Sequence, residues 1–364
     1  VVTSLLLIEI AYSFDVSVGV AGQIRTASAV LTVVVALLMG SLSVRFSHKY
    51  LLLTGLILLC VSTLGSSLSP IFVVLLLFYS LYGFSMGIVS PMNNTLVGRL
   101  FSVEERPKLL SYIIAGGASA YLICSPIMGF IGDWRLTFQL IVLPLSILTL
   151  FLAFIGIPST PPTSQSRQNM LLGFKAVAKN RSAMACVLGN ILAIMGFLII
   201  QTYSMPFYRQ RFLLDRTLTS FLVSGMALVF VSTSLLGGRL VNRIGRWRQN
   251  VLFAFSNGIL VIVSLLVPNV LLSIVAFFLG CASGGMRGVA SQSLTLEQVP
   301  EYRGTMMSLY QVSAQAGQAI GTALGGYLLI VSDYEYLSVL GMLTIVGGLI
   351  FYFFTIDPIK KGVR

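Results

Sequence analysis

One apolar stretch, Gly83 to Arg106, reads GFSMGIVSPMNNTLVGRLFSVEER, and another, Gly280 to Arg303, reads GCASGGMRGVASQSLTLEQVPEYR. Both begin as apolar segments rich in small residues and end in a short charged loop. Two glycines, a glutamate and the final arginine recur at a constant offset of 197 residues. Self-similarity at a fixed spacing indicates a duplicated structural unit. The sequence therefore predicts two related halves.

The composition indicates a membrane protein. Of the 364 residues, 56% are hydrophobic and 9% are charged, whereas soluble domains carry about 25% charged residues. The net charge of +12 would fit a nucleic-acid-binding protein, but the basic residues are scattered over short loops and form no basic face. Loop lysines and arginines that orient membrane spans explain this charge, so no nucleic-acid partner is predicted.

Apolar runs of about 20 residues, the length that crosses a bilayer, recur along the chain. Residues 1–11 are too few and are interpreted as the tail of a first span. The other spans are predicted at residues 20–43, 50–69, 71–100, 109–131, 136–157, 182–208, 217–240, 250–267, 270–298, 304–330 and 336–355. The predicted fold is all-α, with two pseudo-symmetric six-helix bundles around a central cavity and a truncated first span.

A proline-rich polar segment separates the halves. The predicted domains are residues 1–157, a linker at 158–181, and residues 182–364. Within the linker, Met170, Phe174 and Val177 share one side of a helical pattern, and Lys175 and Lys179 share the other. Such an amphipathic helix is expected to lie on the membrane surface.

Loop charge predicts the orientation. If the linker is cytoplasmic, seventeen lysines and arginines fall in cytoplasmic segments, and Arg287 is left inside a span. Five fall in external segments, namely Arg25, Arg135, Arg209, Arg211 and Arg216. Because cytoplasmic loops carry the excess of positive charge, the linker and the C-terminus are predicted to be cytoplasmic. The expected location is the plasma membrane of a prokaryote.

Two loops carry related motifs that bear on the family. Residues 40–49 read GSLSVRFSHK, and residues 238–247 read GRLVNRIGRW. They resemble the signature between spans 2 and 3 of the major facilitator superfamily. Residues 5–23, SPIMG at 125–129 and WRLTF at 134–138 are similar to its drug-efflux and proton-antiporter branches. The resemblance covers essentially the whole chain and implies a twelve-span transporter.

The resemblance also implies a cytoplasmic gate. Its candidate residues are Gly40, Arg45, Glu104, Glu105, Arg106, Gly238, Arg243, Gly245, Arg246 and Arg303. The family's latching aspartate is replaced by Val44, which cannot accept a hydrogen bond. In one hypothesis Glu104 or Glu105 takes its place by pairing with Arg45. In the other, this acidic pair caps the next span and pairs with Arg106 at the surface, which contributes at most about 1 kcal/mol.

Spans 4 and 5 depart further from the pattern of the family. Tyr79 stands where span 4 usually has an arginine. Tyr112 and Tyr121 stand where glycines are usual in span 5, although Ser125-Pro126 and Gly129 remain.

Polar residues inside spans are the candidate substrate contacts, because such groups are costly in hydrocarbon and mark function or a cavity. Arg287 is the strongest candidate, since it lies mid-span beside Gly284, Gly285 and Gly288. We expect it to contact anionic or carbonyl-bearing substrates; the alternative is a structural charge that reaches the interface or bonds to carbonyls. The other candidates are Met86, Ser90, Asn93, Asn190, Phe197, Gln201, Ser204 and Ser283. For the span 7 residues, amide bonding between packed helices is the alternative.

The predicted function is secondary active transport. No arrangement of residues typical of catalysis, metal binding or nucleotide binding is found, so no enzyme activity, metal or cofactor is predicted. Glu9 is the acidic residue that comes closest to a span. We expect a monomer that exports small, partly apolar compounds by alternating access, coupled to protons. The alternatives are uptake or facilitated diffusion of a metabolite, and a transport-inactive membrane sensor or scaffold.

Overall fold

A computed structural model describes residues 2–101, 106–158 and 167–357. These ranges contain helices and no strand. The α-helices are α1 (Val2–Leu5), α2 (Leu7–Ser13), α3 (Val18–Arg45), α4 (His48–Ser67), α5 (Phe72–Leu100), α6 (Arg106–Ile131), α7 (Trp134–Thr137), α8 (Leu143–Gly156), α9 (Arg167–Lys179), α10 (Arg181–Arg211), α11 (Arg216–Ile244), α12 (Arg246–Leu266), α13 (Val270–Leu296), α14 (Arg303–Val331) and α15 (Ser338–Phe354). A π-helical segment, Phe138–Val142, joins α7 to α8, and 3₁₀ turns occupy Pro300–Tyr302 and Tyr334–Leu337.

The helices follow the predicted spans closely. Within the described ranges, nine segments are long and apolar enough to cross a membrane. They are α3, α4, α5, α10, α11, α12, α13, Trp134–Gly156 and Tyr334–Phe354. The predicted first span forms the two short helices α1 and α2. The π-helical segment before α8 was not predicted.

The chain divides into two compact units. Unit 1 comprises Val1–Gln165 and Arg216–Phe221, and unit 2 comprises Ser166–Asp215 and Leu222–Arg364. The linker helix α9 therefore groups with unit 2, and the first residues of α11 group with unit 1. The domain boundaries expected from the sequence stay a prediction.

In unit 1, helices α3 and α4 both pack against α5. Their shared core contains Val35, Met39, Leu51, Leu52, Leu53, Leu56, Ile88, Met92 and Leu96. Gly83 sets the close approach of α3 and α5, because a Cβ at that position would overlap the carbonyl group of Ser28. Thr32 Oγ1 also donates a hydrogen bond to the Gly83 carbonyl oxygen over 2.9 Å. Small residues let membrane helices pack at such short distances.

In unit 2, α10 packs against α14 and α15, and α12 packs against α13 and α15. Glycines again face backbone: a Cβ on Gly258 would lie 2.8 Å from the Gly341 carbonyl oxygen. A Cβ on Gly347 would lie 2.8 Å from the Gly189 carbonyl oxygen. These contacts hold α12 and α10 closely against α15, and α10 carries part of the candidate site.

The amphipathic helix predicted in the linker exists as α9, and protein covers part of its apolar side. Val177 is 1% exposed and packs with Ala183 and Met306. Gly173 lies against Tyr302 and Thr305. Protein from α10 and α14 therefore covers Val177, and the membrane-surface position of the helix stays a prediction.

Candidate functional site

Arg287 lies on α13 and is almost completely buried. The residue as a whole is 3% exposed. Nη1 donates to Asn190 Oδ1 over 3.5 Å, which is the long limit of a hydrogen bond. Its Nε atom is buried and has no hydrogen-bond partner among the described residues. A guanidinium stays charged near neutral pH, so this site holds a cation with spare donor capacity.

Asn190 connects the guanidinium to two helices. Its Nδ2 atom donates to Ser313 Oγ on α14 over 2.7 Å, and its Oδ1 atom also accepts from Ser291 Oγ over 3.4 Å. Ser313 Oγ in turn donates to the Tyr310 carbonyl oxygen over 2.7 Å. Asn190 has no exposed surface. The strong bond to Ser313 orients the amide so that its oxygen faces Arg287.

An aromatic pair lies beside this polar network. Phe197 is two turns after Asn190 on α10, and its ring stacks on Phe230 with centroids 5.7 Å apart and planes at 26°. The Phe197 ring fills the space that a Cβ on Gly284 would need. Gly284 is one turn before Arg287 on α13. The contact between α10 and α13 is therefore charged at Arg287 and aromatic at Gly284.

Other predicted residues of unit 2 are placed differently. Ser283 Oγ pairs with Ser256 Oγ on α12 over 3.0 Å and donates to the Leu279 carbonyl oxygen over 2.9 Å, so its hydroxyl faces α12. Ser204 Oγ is buried without a partner among the described residues. Gln201 is half-buried on α10. The structure thus brings Asn190 to Arg287 and Phe197 to Gly284 on α13, whereas the Ser283 hydroxyl faces α12.

The three candidates of span 4 lie on α5 in unit 1. Met86 and Asn93 are half-buried, and Ser90 is exposed. Their contribution to a substrate site stays a prediction.

Comparison with known proteins identifies the family. The family model of the Major Facilitator Superfamily matches residues 1–300 and 253–364. This chain belongs to that superfamily. Its members are transporters, so the chain is a multi-pass membrane transporter of that family.

Individual relatives and solved structures agree with this assignment. The MFS-type transporter YceJ of Bacillus subtilis is 24% identical over 321 residues, which cover 86% of this chain and 81% of YceJ. The purine ribonucleoside efflux pump NepI of Salmonella typhimurium is 27% identical over 231 residues, 62% of this chain and 55% of NepI. The match to NepI therefore spans about half of that relative.

Solved structures share the fold. A D-xylose-proton symporter superposes with a TM-score of 0.75 at 15% identity, over 98% of this chain and 94% of the symporter. The nucleoside transporter NupG gives a TM-score of 0.75 at 12% identity, over 96% of this chain and 97% of NupG. These likenesses confirm the predicted all-α major facilitator fold.

The superfamily's loop signature has a clear structural form in unit 2. Gly245 has a φ of +84° between α11 and α12, a conformation that glycine adopts without steric cost. The next residue, Arg246, places Nε 3.5 Å from Asp357 Oδ1 and Nη1 3.4 Å from the Ser293 carbonyl oxygen. Arg246 therefore ties the start of α12 to the end of α13 and to the segment after α15. Arg243 is exposed.

Other predicted gate residues give less structural information. Gly238 has no described atom within 4 Å of an added Cβ, and Arg45 is the exposed last residue of α3. Gly40, Val44, Arg106 and Arg303 lie in helices, but their side chains fall outside the described part. Glu104 and Glu105 lie outside the described residues altogether. The two hypotheses for the latch therefore stay predictions.

Sequence analysis missed one residue of interest. Arg25 was counted among the external loop charges, but it lies in the third turn of α3 and is 9% exposed. Its Nη1 atom donates to Ser4 Oγ on α1 over 2.8 Å. The available signal was its position five residues inside the predicted second span.

Proposed function

We propose that this transporter exports small, partly apolar compounds in exchange for protons and works by alternating access. The observation that supports a substrate role in unit 2 is the buried Arg287 guanidinium, with one long hydrogen bond and an unpartnered Nε. A guanidinium has five N–H donors. A ligand with an anionic or carbonyl oxygen would satisfy donors that the protein leaves open.

The neighbouring aromatic pair supports a substrate that is planar and partly apolar. Phe197 and Phe230 are stacked one helical level from Arg287, and aromatic surfaces favour contact with flat rings. NepI is described as a purine ribonucleoside efflux pump. A purine ribonucleoside combines a flat base with carbonyl or hydroxyl oxygens, so it is the first substrate to test.

Proton coupling needs a group that can bind and release a proton within the transport path. Among the acidic residues that the structure describes, Glu9 alone lies inside an α-helix. Its Oε1 atom is buried and lies 3.8 Å from Arg216 Nη1 within unit 1. Carboxylates inside spans are the usual proton carriers of transporters. We therefore propose Glu9 as the coupling residue.

The transport assay is direct. Purified protein in liposomes is loaded with buffer at one pH and diluted into another, and uptake of tritiated inosine is measured with and without the gradient. We expect gradient-dependent accumulation that Arg287→Ala abolishes and Arg287→Lys partly retains, because lysine lacks the planar fork of donors. Expression level and melting temperature of both variants serve as the controls for folding.

Each other outcome of the assay has a defined meaning. Equilibration without accumulation would indicate facilitated diffusion, and accumulation in the direction opposite to export would indicate uptake. Complete inactivity with a panel of nucleosides and other small amphiphiles would favour a sensor or scaffold. Normal transport by Arg287→Ala would make the arginine structural.

The proposed setting is the plasma membrane, with the monomeric chain spanning the bilayer and the linker and C-terminus in the cytoplasm. The excess of positive charge in the segments around the linker supports this orientation. A protease site inserted at Pro161, which lies outside the described residues, should be cut in inside-out vesicles only. Cleavage by protease added to intact cells would reverse the orientation.

A further inference from the structure

We propose that unit 1 holds a binding site for a small organic monoanion, built around Arg25. The inference does not depend on Arg287, which belongs to unit 2. It rests on the burial of one cation among hydroxyl groups contributed by two further helices.

The site collects neutral hydroxyls around one positive charge. Arg25 on α3 is 9% exposed and donates from Nη1 to Ser4 Oγ on α1 over 2.8 Å. Thr3 Oγ1, one residue earlier, lies 3.4 Å from the Tyr79 hydroxyl on α5. Tyr79 and Tyr82 are both close enough to Arg25 for an electrostatic interaction.

No counter-charge accompanies this cation. Among the residues that the structure describes, no carboxylate lies within 4.0 Å of the Arg25 guanidinium. A buried charge is costly unless it is paired or hydrated. The Ser4 hydroxyl is the one hydrogen-bond acceptor that the described residues supply, whereas the guanidinium carries five N–H donors. The described surroundings of Arg25 therefore lack a negative group.

Charge balance and shape define the ligand. One guanidinium surrounded by uncharged hydroxyls is neutralised by one negative charge, and a dianion such as phosphate would leave an excess charge buried. A carboxylate matches the planar fork of an arginine with two parallel hydrogen bonds. The rings of Tyr79 and Tyr82 lie 5.3 Å apart, and Phe138 meets Tyr79 edge-on at 6.4 Å. These three aromatic rings favour contact with the ring of an aromatic carboxylate.

The test compares benzoate with benzamide, which has nearly the same shape and no charge. Binding to the purified full chain in phosphatidylcholine nanodiscs is measured by isothermal titration calorimetry. We expect benzoate to bind more tightly than benzamide, and Arg25→Gln to weaken benzoate about 30-fold or more while benzamide stays unchanged. Arg25→Lys should retain an intermediate affinity because it keeps the charge but not the fork.

Three further variants separate this site from others. The same comparison in an Arg287→Gln background should preserve the preference for benzoate, which keeps the result independent of the proposed function. Ser4→Ala and Tyr79→Phe keep the charge and should each weaken benzoate about fivefold, the typical effect of one hydrogen bond. They remain informative if Arg25→Gln fails to fold.

Four results would overturn the proposal. They are equal binding of benzoate and benzamide by the native chain, unchanged benzoate affinity in Arg25→Gln, loss of the preference in the Arg287→Gln background alone, and a misfolded Arg25→Gln together with unchanged Ser4→Ala and Tyr79→Phe.

Discussion

Nη1 of Arg287 lies 3.5 Å from Oδ1 of Asn190. The amide is held by its other end, since Nδ2 donates to Ser313 over the shorter distance of 2.7 Å. Asn190 carries no charge and the contact is long, so the positive charge of Arg287 is not compensated by Asn190. A carboxylate at the same position would change that balance.

The first prediction follows from this geometry. Asn190→Asp should supply an internal anion that pairs permanently with Arg287, raise the free energy of unfolding by about 1–3 kcal/mol, and abolish transport of anionic or carbonyl-bearing substrates. Melting temperature and liposome uptake measure the two effects. Ser291→Ala is the matched control, because it removes only the 3.4 Å bond to the same oxygen. Undiminished transport by Asn190→Asp would show that Arg287 does not bind substrate.

The second prediction concerns the close approach of α3 and α5. Gly83→Ala should destabilise unit 1 by about 1–3 kcal/mol, because the new methyl group would overlap the Ser28 backbone and force the helices apart. Gly116→Ala on α6 is the control, since no described atom lies within 4 Å of an added Cβ there. Thermal melting of both purified variants makes the comparison, and equal midpoints would contradict it.

The third prediction tests the proton carrier. Glu9→Gln should eliminate accumulation driven by a pH gradient but retain exchange of labelled for unlabelled substrate, because the neutral amide cannot release a proton. Glu335→Gln is the control, as this carboxylate is 55% exposed and pairs with Arg211. If Glu9→Gln still accumulates substrate against its gradient, the coupling residue lies elsewhere.

The fourth prediction concerns the arginine after Gly245. Arg246→Ala should lower the free energy of unfolding of unit 2 by about 1–3 kcal/mol, because it leaves the largely buried Asp357 carboxylate without this cation and removes a bond to the end of α13. Arg243→Ala, at an exposed position of the same motif, should change it by less than about 0.5 kcal/mol. Chemical denaturation in detergent would measure both, and similar losses would argue against a structural role for the Arg246 contacts.

The sequence predicted the helices well because a bilayer imposes its thickness on every span. Long apolar runs therefore mark α3, α4, α5, Trp134–Gly156, α10 to α13 and Tyr334–Phe354 without any knowledge of packing. For α9 the apolar pattern is less informative. An amphipathic pattern shows that one face must be covered, but it cannot distinguish lipid from the side chains of Ala183 and Met306.

The candidate site was harder to predict, since it depends on the rotation of helices about their axes. Arg287 was identifiable as a charge inside a span. Its pairing with Asn190, 97 residues away in the chain, follows from how α10 and α13 pack, which no local pattern specifies. Arg25 was predicted to be external because the count of loop charges treats an arginine near the end of a span as external. In the structure its guanidinium donates a hydrogen bond to Ser4 on α1.

Gly288, the neighbour of Arg287, has no described atom within 4 Å of an added Cβ. On the same helix, Phe197 occupies the space beside Gly284, and Thr233 and Phe230 occupy the space beside Gly285. Substitutions at these three glycines should therefore have unequal effects. Changes at the closed pair disturb packing, while a small side chain at 288 enters vacant space and leaves the cation intact. If Arg287 binds substrate, as proposed, a single substitution at position 288 would reduce the space for the ligand without disturbing the packing of α13.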